Sequence, residues 1–225
     1  MILAINSSTF QYSIALLSEE GITIAEYLIL PDPNGFTGFM PAMDLLLKSS
    51  GTEPEGIKCV AVVTGPGSFT GLRVGLSAAK GMAYSLNIPV IGISGIEALA
   101  AGLSHTEMDI LSMVTSRRDE VFYGLFQRNR EKLDRKSEDR SIRLKDISDL
   151  IKEPTIIIGN DYMKQESVIG ESGNHNITYA PKEQWILRGS SVGALGLKRF
   201  HNGDFDDIRD MVPRYLRPPD IRSSR

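Results

Sequence analysis

Cysteine is almost missing from this chain. The single thiol, Cys59, cannot close a disulfide within the chain, and it adjoins the apolar run Val60-Ala61-Val62-Val63, so a buried structural thiol is the expected reading. A reducing, cytoplasmic compartment is the corresponding expectation. Histidine is scarce too: His105, His175 and His201 are widely separated, and no two stand one helical turn apart, as a metallopeptidase would need to hold zinc. An excess of positive charge is also lacking. With 25 Lys and Arg against 28 Asp and Glu, the formal net charge is -3. Phosphate neutralisation supplies most RNA affinity, so the chain is not expected to grip RNA by itself. Long apolar runs do not occur at the start. Met1-Ile2-Leu3-Ala4-Ile5 has no basic flank and gives way to polar Asn6-Ser7-Ser8-Thr9, too soon for a signal peptide or a membrane span.

What is present is ordinary for a globular protein. The 225 residues, 41% hydrophobic and 24% charged, suit one large domain or two small lobes. Three short strands are predicted at Ile2 to Ile5, Tyr12 to Leu17 and Ile22 to Leu30, forming an antiparallel meander. After the breakers Pro31-Asp32-Pro33-Asn34-Gly35, Phe36, Phe39, Met40, Met43, Leu46 and Leu47 recur at amphipathic-helix spacing, and Ser49-Ser50-Gly51 closes the helix. A strand at Ile57 to Thr64, a helix from about Ser68 to Leu86 and a strand Val90 to Ile93 follow. The second half repeats the theme more weakly. It has strands at Ile110 to Thr115, Val121 to Phe126 and Thr155 to Gly159, and helices at Leu144 to Ile151 and Ser190 to Phe200. The charge-dense Gln127 to Asp139 reads as a solvated turn region. A meander feeding alternating helices and strands gives a mixed sheet covered by helices, and two lobes, 1–100 and 101–225, with a boundary near 95–105.

The most specific stretch is Thr64-Gly65-Pro66-Gly67-Ser68-Phe69-Thr70-Gly71-Leu72-Arg73-Val74-Gly75. It is neither a P-loop, which ends in Gly-Lys-Ser/Thr, nor a dinucleotide fingerprint, which needs glycine where Thr70 stands. Its amides could face an anion, or it could be a structural turn capped by Ser68 or Thr70; both readings stand. In the helix that follows, Gly71, Gly75, Ala78, Ala79 and Met82 form a smooth face. Its three glycines Gly71, Gly75 and Gly81 each cost roughly 1 kcal/mol against alanine and so imply close packing. Arg73, Ser77, Lys80 and Tyr84 form a polar stripe whose ordinary reading is a solvated face. Trp185 reads as a lobe-packing residue.

These strings, with Ile2-Leu3-Ala4-Ile5-Asn6-Ser7-Ser8-Thr9, Pro89-Val90-Ile91-Gly92-Ile93-Ser94 and Pro213-Arg214-Tyr215-Leu216-Arg217, resemble the bacterial TsaB (YeaZ) family. The resemblance is close over the first hundred residues and thin beyond. It implies an α/β, actin/Hsp70/sugar-kinase-like (ribonuclease H-like) two-lobed fold. It also implies a non-catalytic role beside a TsaD-like catalytic paralogue and a TsaE-like ATPase that attach threonylcarbamoyl to tRNA adenosine, with tRNA reached through the complex. Two departures bear on chemistry. Asn6 stands where relatives have aspartate, and Thr115-Ser116 where a second aspartate is usual; such carboxylates manage magnesium and phosphate in kinase-like members. A histidine common ahead of the first helix is absent, Gly35 or Phe36 occupying that region.

The resulting expectations are specific. The chain is not catalytic alone and holds no metal and no tightly bound cofactor, with ATP or ADP only at the complex interface. Phe36, Phe39, Met40, Met43, Leu47, Gly71, Arg73, Gly75, Ala78 and Met82 form an association face for the paralogue, or for a second copy when the paralogue is missing. Asn6, Ser7, Ser8, Thr9, Gly65, Gly67 and Ser68 are the candidate anion- or nucleotide-facing turns. The rival readings are a kinase-like ATP-dependent phosphotransferase and a glycoprotease-type peptidase.

Overall fold

The computed structural model describes residues 1–29, 36–104, 106–130 and 132–216. Leu30, the breakers Pro31 to Gly35, His105 and Arg217 lie outside the described residues. Strands β1 (Ile2–Asn6), β2 (Tyr12–Leu17), β3 (Thr23–Ile29), β4 (Cys59–Gly65) and β5 (Val90–Ser94) form a five-stranded sheet in the order β3-β2-β1-β4-β5. The first hairpins are antiparallel, and β4 and β5 add in parallel through the helices α1 (Phe39–Ser50) and α2 (Phe69–Leu86). Helix α3 (Gly95–Ala101) leads into the second sheet. There β6 (Asp109–Arg117), β7 (Glu120–Asn129), β8 (Lys132–Arg135), β9 (Arg140–Arg143), β10 (Thr155–Ile158) and β11 (Ile177–Tyr179) take the order β11-β10-β6-β7-β8, with β9 also on β7. Helices α4 (Ile147–Leu150), α5 (Tyr162–Gly170) and α6 (Gly189–His201) complete the chain.

The inner strands of the first sheet are buried on both faces, so their sequences are apolar without a polar alternate. Side chains still alternate between two cores. Leu3, Ile5, Ile14, Leu16, Val60 and Val62 meet α1 and α2, while Ile2, Ala4, Ala15, Leu17, Ala61 and Val63 join a larger core continuous with the second sheet. The second core depends on α6, which packs on β1, β2, β4 and β5. Gly189, Gly193 and Gly196 let its backbone sit against Ala15, Leu17 and Ala61. Glu26 on β3 accepts from the Ser190 amide (2.9 Å) and hydroxyl (3.0 Å) and pairs with Arg188 (3.3 Å), placing a carboxylate at the positive end of α6.

Several expectations are corrected here. The charge-dense stretch holds the end of β7 and all of β8, and β9 follows directly after it; Leu133 and Ile142 pack against the core, and Arg135 lies over Phe126 and pairs with Glu97 (3.5 Å). The helix expected at Leu144 to Ile151 is a 3-10 turn followed by the single turn of α4. Helices α3 and α5 and strand β11 were not anticipated: α3 and β11 are short, and α5 has only a weak apolar stripe.

Candidate functional site: an interlobe cleft and an outer helical groove

The turns after β1 and β10 and the last residues of β6 converge on a cleft of about 910 Å³. Its floor is polar, from Ser8, Thr9, Ser68, Thr115, Ser116, Asn160 and Asp161, and Tyr162, Trp185 and Ile186 supply apolar wall. Phe10 and Met163 stand at its lip, 75% and 66% exposed. The floor's groups are largely engaged with one another. Asn160 Oδ1 accepts from the Thr115 amide (2.9 Å) and hydroxyl (3.1 Å), and Asp161 caps α5 by accepting from the Lys164 amide (3.3 Å). Trp185 donates its indole N–H to the Ala180 carbonyl (2.9 Å) and meets Tyr162 edge-on, so it does pack between elements.

The first turn faces inward. Asn6 is wholly buried; its Oδ1 accepts from the Ser8 amide (3.0 Å) and hydroxyl (2.8 Å), and its Nδ2 donates to Thr9 Oγ1 (3.2 Å) and the Leu187 carbonyl (3.0 Å). Ser7 donates to the Gly71 carbonyl (2.8 Å), and the Ser68 amide donates to the Ser8 carbonyl (2.7 Å). At Gly65, φ of +142° suits glycine, and a Cβ at Gly67 would overlap the Ser8 carbonyl. Of the seven residues expected to face an anion, Ser8, Thr9 and Ser68 line the cleft. Asn6, Ser7, Gly65 and Gly67 build the turn beneath it. Asn160, Asp161, Tyr162 and Lys182 complete the cleft and were not foreseen. A polar Asn-Asp pair at the end of the predicted Thr155 to Gly159 strand was the available signal.

The expected association face divides in two. Phe39, Met43 and Leu47 are buried under α1, and Gly71 and Gly75 face the β1 turn, where added Cβ atoms would overlap the Ser7 carbonyl and Ser7 Oγ. The close approach is therefore helix to turn within the chain, not helix to helix. Outside, an apolar groove of about 410 Å³ between α1 and α2 is lined by Phe36, Phe39, Met40, Val74 and Ala78, with Arg73 and Ser77. Met40 is 56% exposed there, Arg73 is exposed and Ala78 is half-buried; Met82, also half-buried, lies further along α2.

A polar cleft between two helix-covered mixed sheets gives the chain an actin/Hsp70/sugar-kinase-like fold. The family model described as TsaD, tRNA N6-adenosine threonylcarbamoyltransferase, matches residues 37–223. The tRNA threonylcarbamoyladenosine biosynthesis protein TsaB of Bacillus subtilis is 32% identical over 219 residues, 96% of this chain and 93% of its own length. The chain belongs to the TsaB family. A tRNA N6-adenosine threonylcarbamoyltransferase of Nitratidesulfovibrio vulgaris is 45% identical over 65 residues, 28% of this chain and 18% of its own. A Pseudomonas aeruginosa structure described as similar to the peptidase YEAZ superposes with a TM-score of 0.78 at 20% identity, covering 96% of this chain and 99% of its own.

Proposed function

We propose that this protein is the non-catalytic partner subunit of a tRNA adenosine threonylcarbamoyltransferase, docking a TsaD-like catalytic paralogue on the α1–α2 groove. The observation that carries the reading is the relationship to TsaB over nearly the whole chain, and the cleft chemistry supports it. Where a kinase-like relative would offer a carboxylate to magnesium, Asn6 holds both ends of its amide in internal hydrogen bonds. Thr115 is likewise tied to Asn160. Among the described residues no group of three His, Cys, Asp or Glu side chains could hold a metal ion. No helix among them is long and apolar enough to cross a membrane.

Docking would work by positioning: this chain stabilises the competent arrangement of its partner and supplies no reacting group. ATP or ADP belongs at the interface with the paralogue, and a TsaE-like ATPase completes the assembly, with tRNA reached through the catalytic subunit. Without the paralogue, a second copy takes the groove, since related chains offer similar helices. The test is reconstitution. This chain alone is expected to transfer no threonylcarbamoyl to tRNA and to raise transfer by the catalytic subunit. Met40→Glu, which puts a charge in the groove, is expected to weaken the complex by at least about tenfold. Transfer by this chain alone, or full stimulation by the variant, would overturn the reading.

A further inference from the structure

Two strings far apart in sequence meet at the edge of the groove. The Arg73 guanidinium lies 3.8 Å from the centre of the Phe69 ring, and Phe69 in turn stacks on Tyr215 with ring centres 5.0 Å apart. Arg73 Nε donates to the Tyr215 hydroxyl at 3.3 Å. Tyr215 arrives on a strap that leaves α6 and is fixed at successive points. Arg199 pairs with Asp204 (2.7 Å) and Asp206 (3.1 Å), and Asp206 accepts from the Gly92 amide (2.7 Å). The Met211 carbonyl accepts from Lys80 (3.2 Å), and the Arg214 amide donates to the Thr64 carbonyl (2.7 Å). The strap is thus already held before it reaches Tyr215, which remains 38% exposed. Its ring, stacked on Phe69, and its hydroxyl, accepting from Arg73 Nε, fix the direction of that arginine.

The geometry points to Tyr215 as a positioning residue that holds Arg73 at the rim of the α1–α2 groove for a carboxylate on the docked catalytic paralogue; this rests on the docking reading above. The chemistry follows from the guanidinium's donors. Its Nε–H is turned to Tyr215 and its face to Phe69, and among the described residues no carboxylate pairs with its two terminal nitrogens. That fork matches a carboxylate in two-point contact, and a side chain held by stacking loses less freedom on making it.

The test measures the affinity of the full chain for the catalytic paralogue at low and high salt, for Arg73→Ala, Tyr215→Ala and the double variant, with Met40→Glu as the docking control. Tyr215→Ala is expected to weaken binding by about five- to tenfold at low salt, with a smaller effect at high salt. Added to Arg73→Ala it should change nothing further, because Tyr215 acts through Arg73. If Tyr215→Ala lowers the thermal transition, Tyr215→Phe keeps the ring stack and removes the hydroxyl, and it should still weaken binding. Unchanged affinity in both tyrosine variants while Met40→Glu abolishes binding would sink the inference and leave the docking reading standing. Additive losses would also overturn it, since Tyr215 would then touch the partner directly. Normal binding by Met40→Glu would instead remove the docking reading. Weakened self-association with intact paralogue binding would show that a second copy, not the paralogue, meets Arg73.

Discussion

At Asn6 the two ends of one amide are held in opposite senses, the oxygen by donors of Ser8 and the nitrogen by the Leu187 carbonyl of the second half. Aspartate would keep the first set and turn a lone pair toward the Leu187 oxygen. Asn6→Asp is therefore expected to destabilise the protein by about 2–3 kcal/mol in denaturant titration, the scale of a buried polar group facing the wrong partner. Burial would raise the new carboxyl above its usual range, so the folded state would bind the extra proton. Protonated, the group could donate to Leu187 again, and the deficit should be smaller at pH 5 than at pH 8. Cys59 is a second case of environment ruling chemistry. Burial pushes its thiol up to about 12, so native protein should resist alkylation at pH 8 until denaturant opens it. Because the folded state keeps this proton longer than the unfolded one, stability should fall as pH rises above about 9, by up to roughly 1.4 kcal/mol per unit from this group, and Cys59→Ala should flatten that slope. The cleft was partly legible at this scale. The polar residues after β1 could be read directly, and the family resemblance marked Asn6 as a departure, but the contact with Leu187 spans 181 residues and leaves no local pattern.

Helix α2 shows what periodicity conveys and what it omits. The glycine face at Gly71 and Gly75 correctly signalled close packing, yet spacing alone could not say against what; the neighbour is the Ser7 turn. Gly75→Ala should overpack that contact and destabilise the protein by about 1–3 kcal/mol. Gly81, on the same helix, is exposed, and nothing lies within 4 Å of a Cβ added there. Gly81→Ala should stabilise the protein by about 1 kcal/mol, the helix-propensity difference. Thermal or denaturant transitions of the two variants should move in opposite directions; stabilisation by both would mean that the turn yields, and destabilisation by both would overturn the reading of Gly81. Elements with strong patterns were legible in sequence: β2 matches its expected bounds, and α1, α2 and α6 lie within a few residues of theirs. Elements made by tertiary contact were not. Strands β8 and β9 are charged edge pieces on β7, and β11 has three residues paired to β10, so neither offers a local alternation long enough to read.

Across the whole molecule, the division into 1–100 and 101–225 separates the two sheets but not the cores. Helix α6 comes from the second half, yet it covers one face of β1, β2 and β4 and brings Val192 and Leu197 into the core shared by both sheets. The strap beyond it pairs Asp206 with Val90 and so closes the β5 edge of the first sheet. Removing residues after 100 would expose Ile2, Ala4, Ala15, Leu17, Ala61 and Val63 together and leave that edge open, a combination that favours aggregation over a folded lobe. Residues 1–100 alone are thus expected to lack a cooperative thermal transition, while the full chain unfolds in a single one. Adding back residues 101–225 as a separate polypeptide should restore structure only if α6 is included, and Gly193→Leu in that piece should prevent rescue, because the added side chain would collide with Leu17. A sharp transition for 1–100 alone, with dispersed amide resonances, would show that the first sheet folds without α6. The two halves would then be independent units instead of one cooperative body.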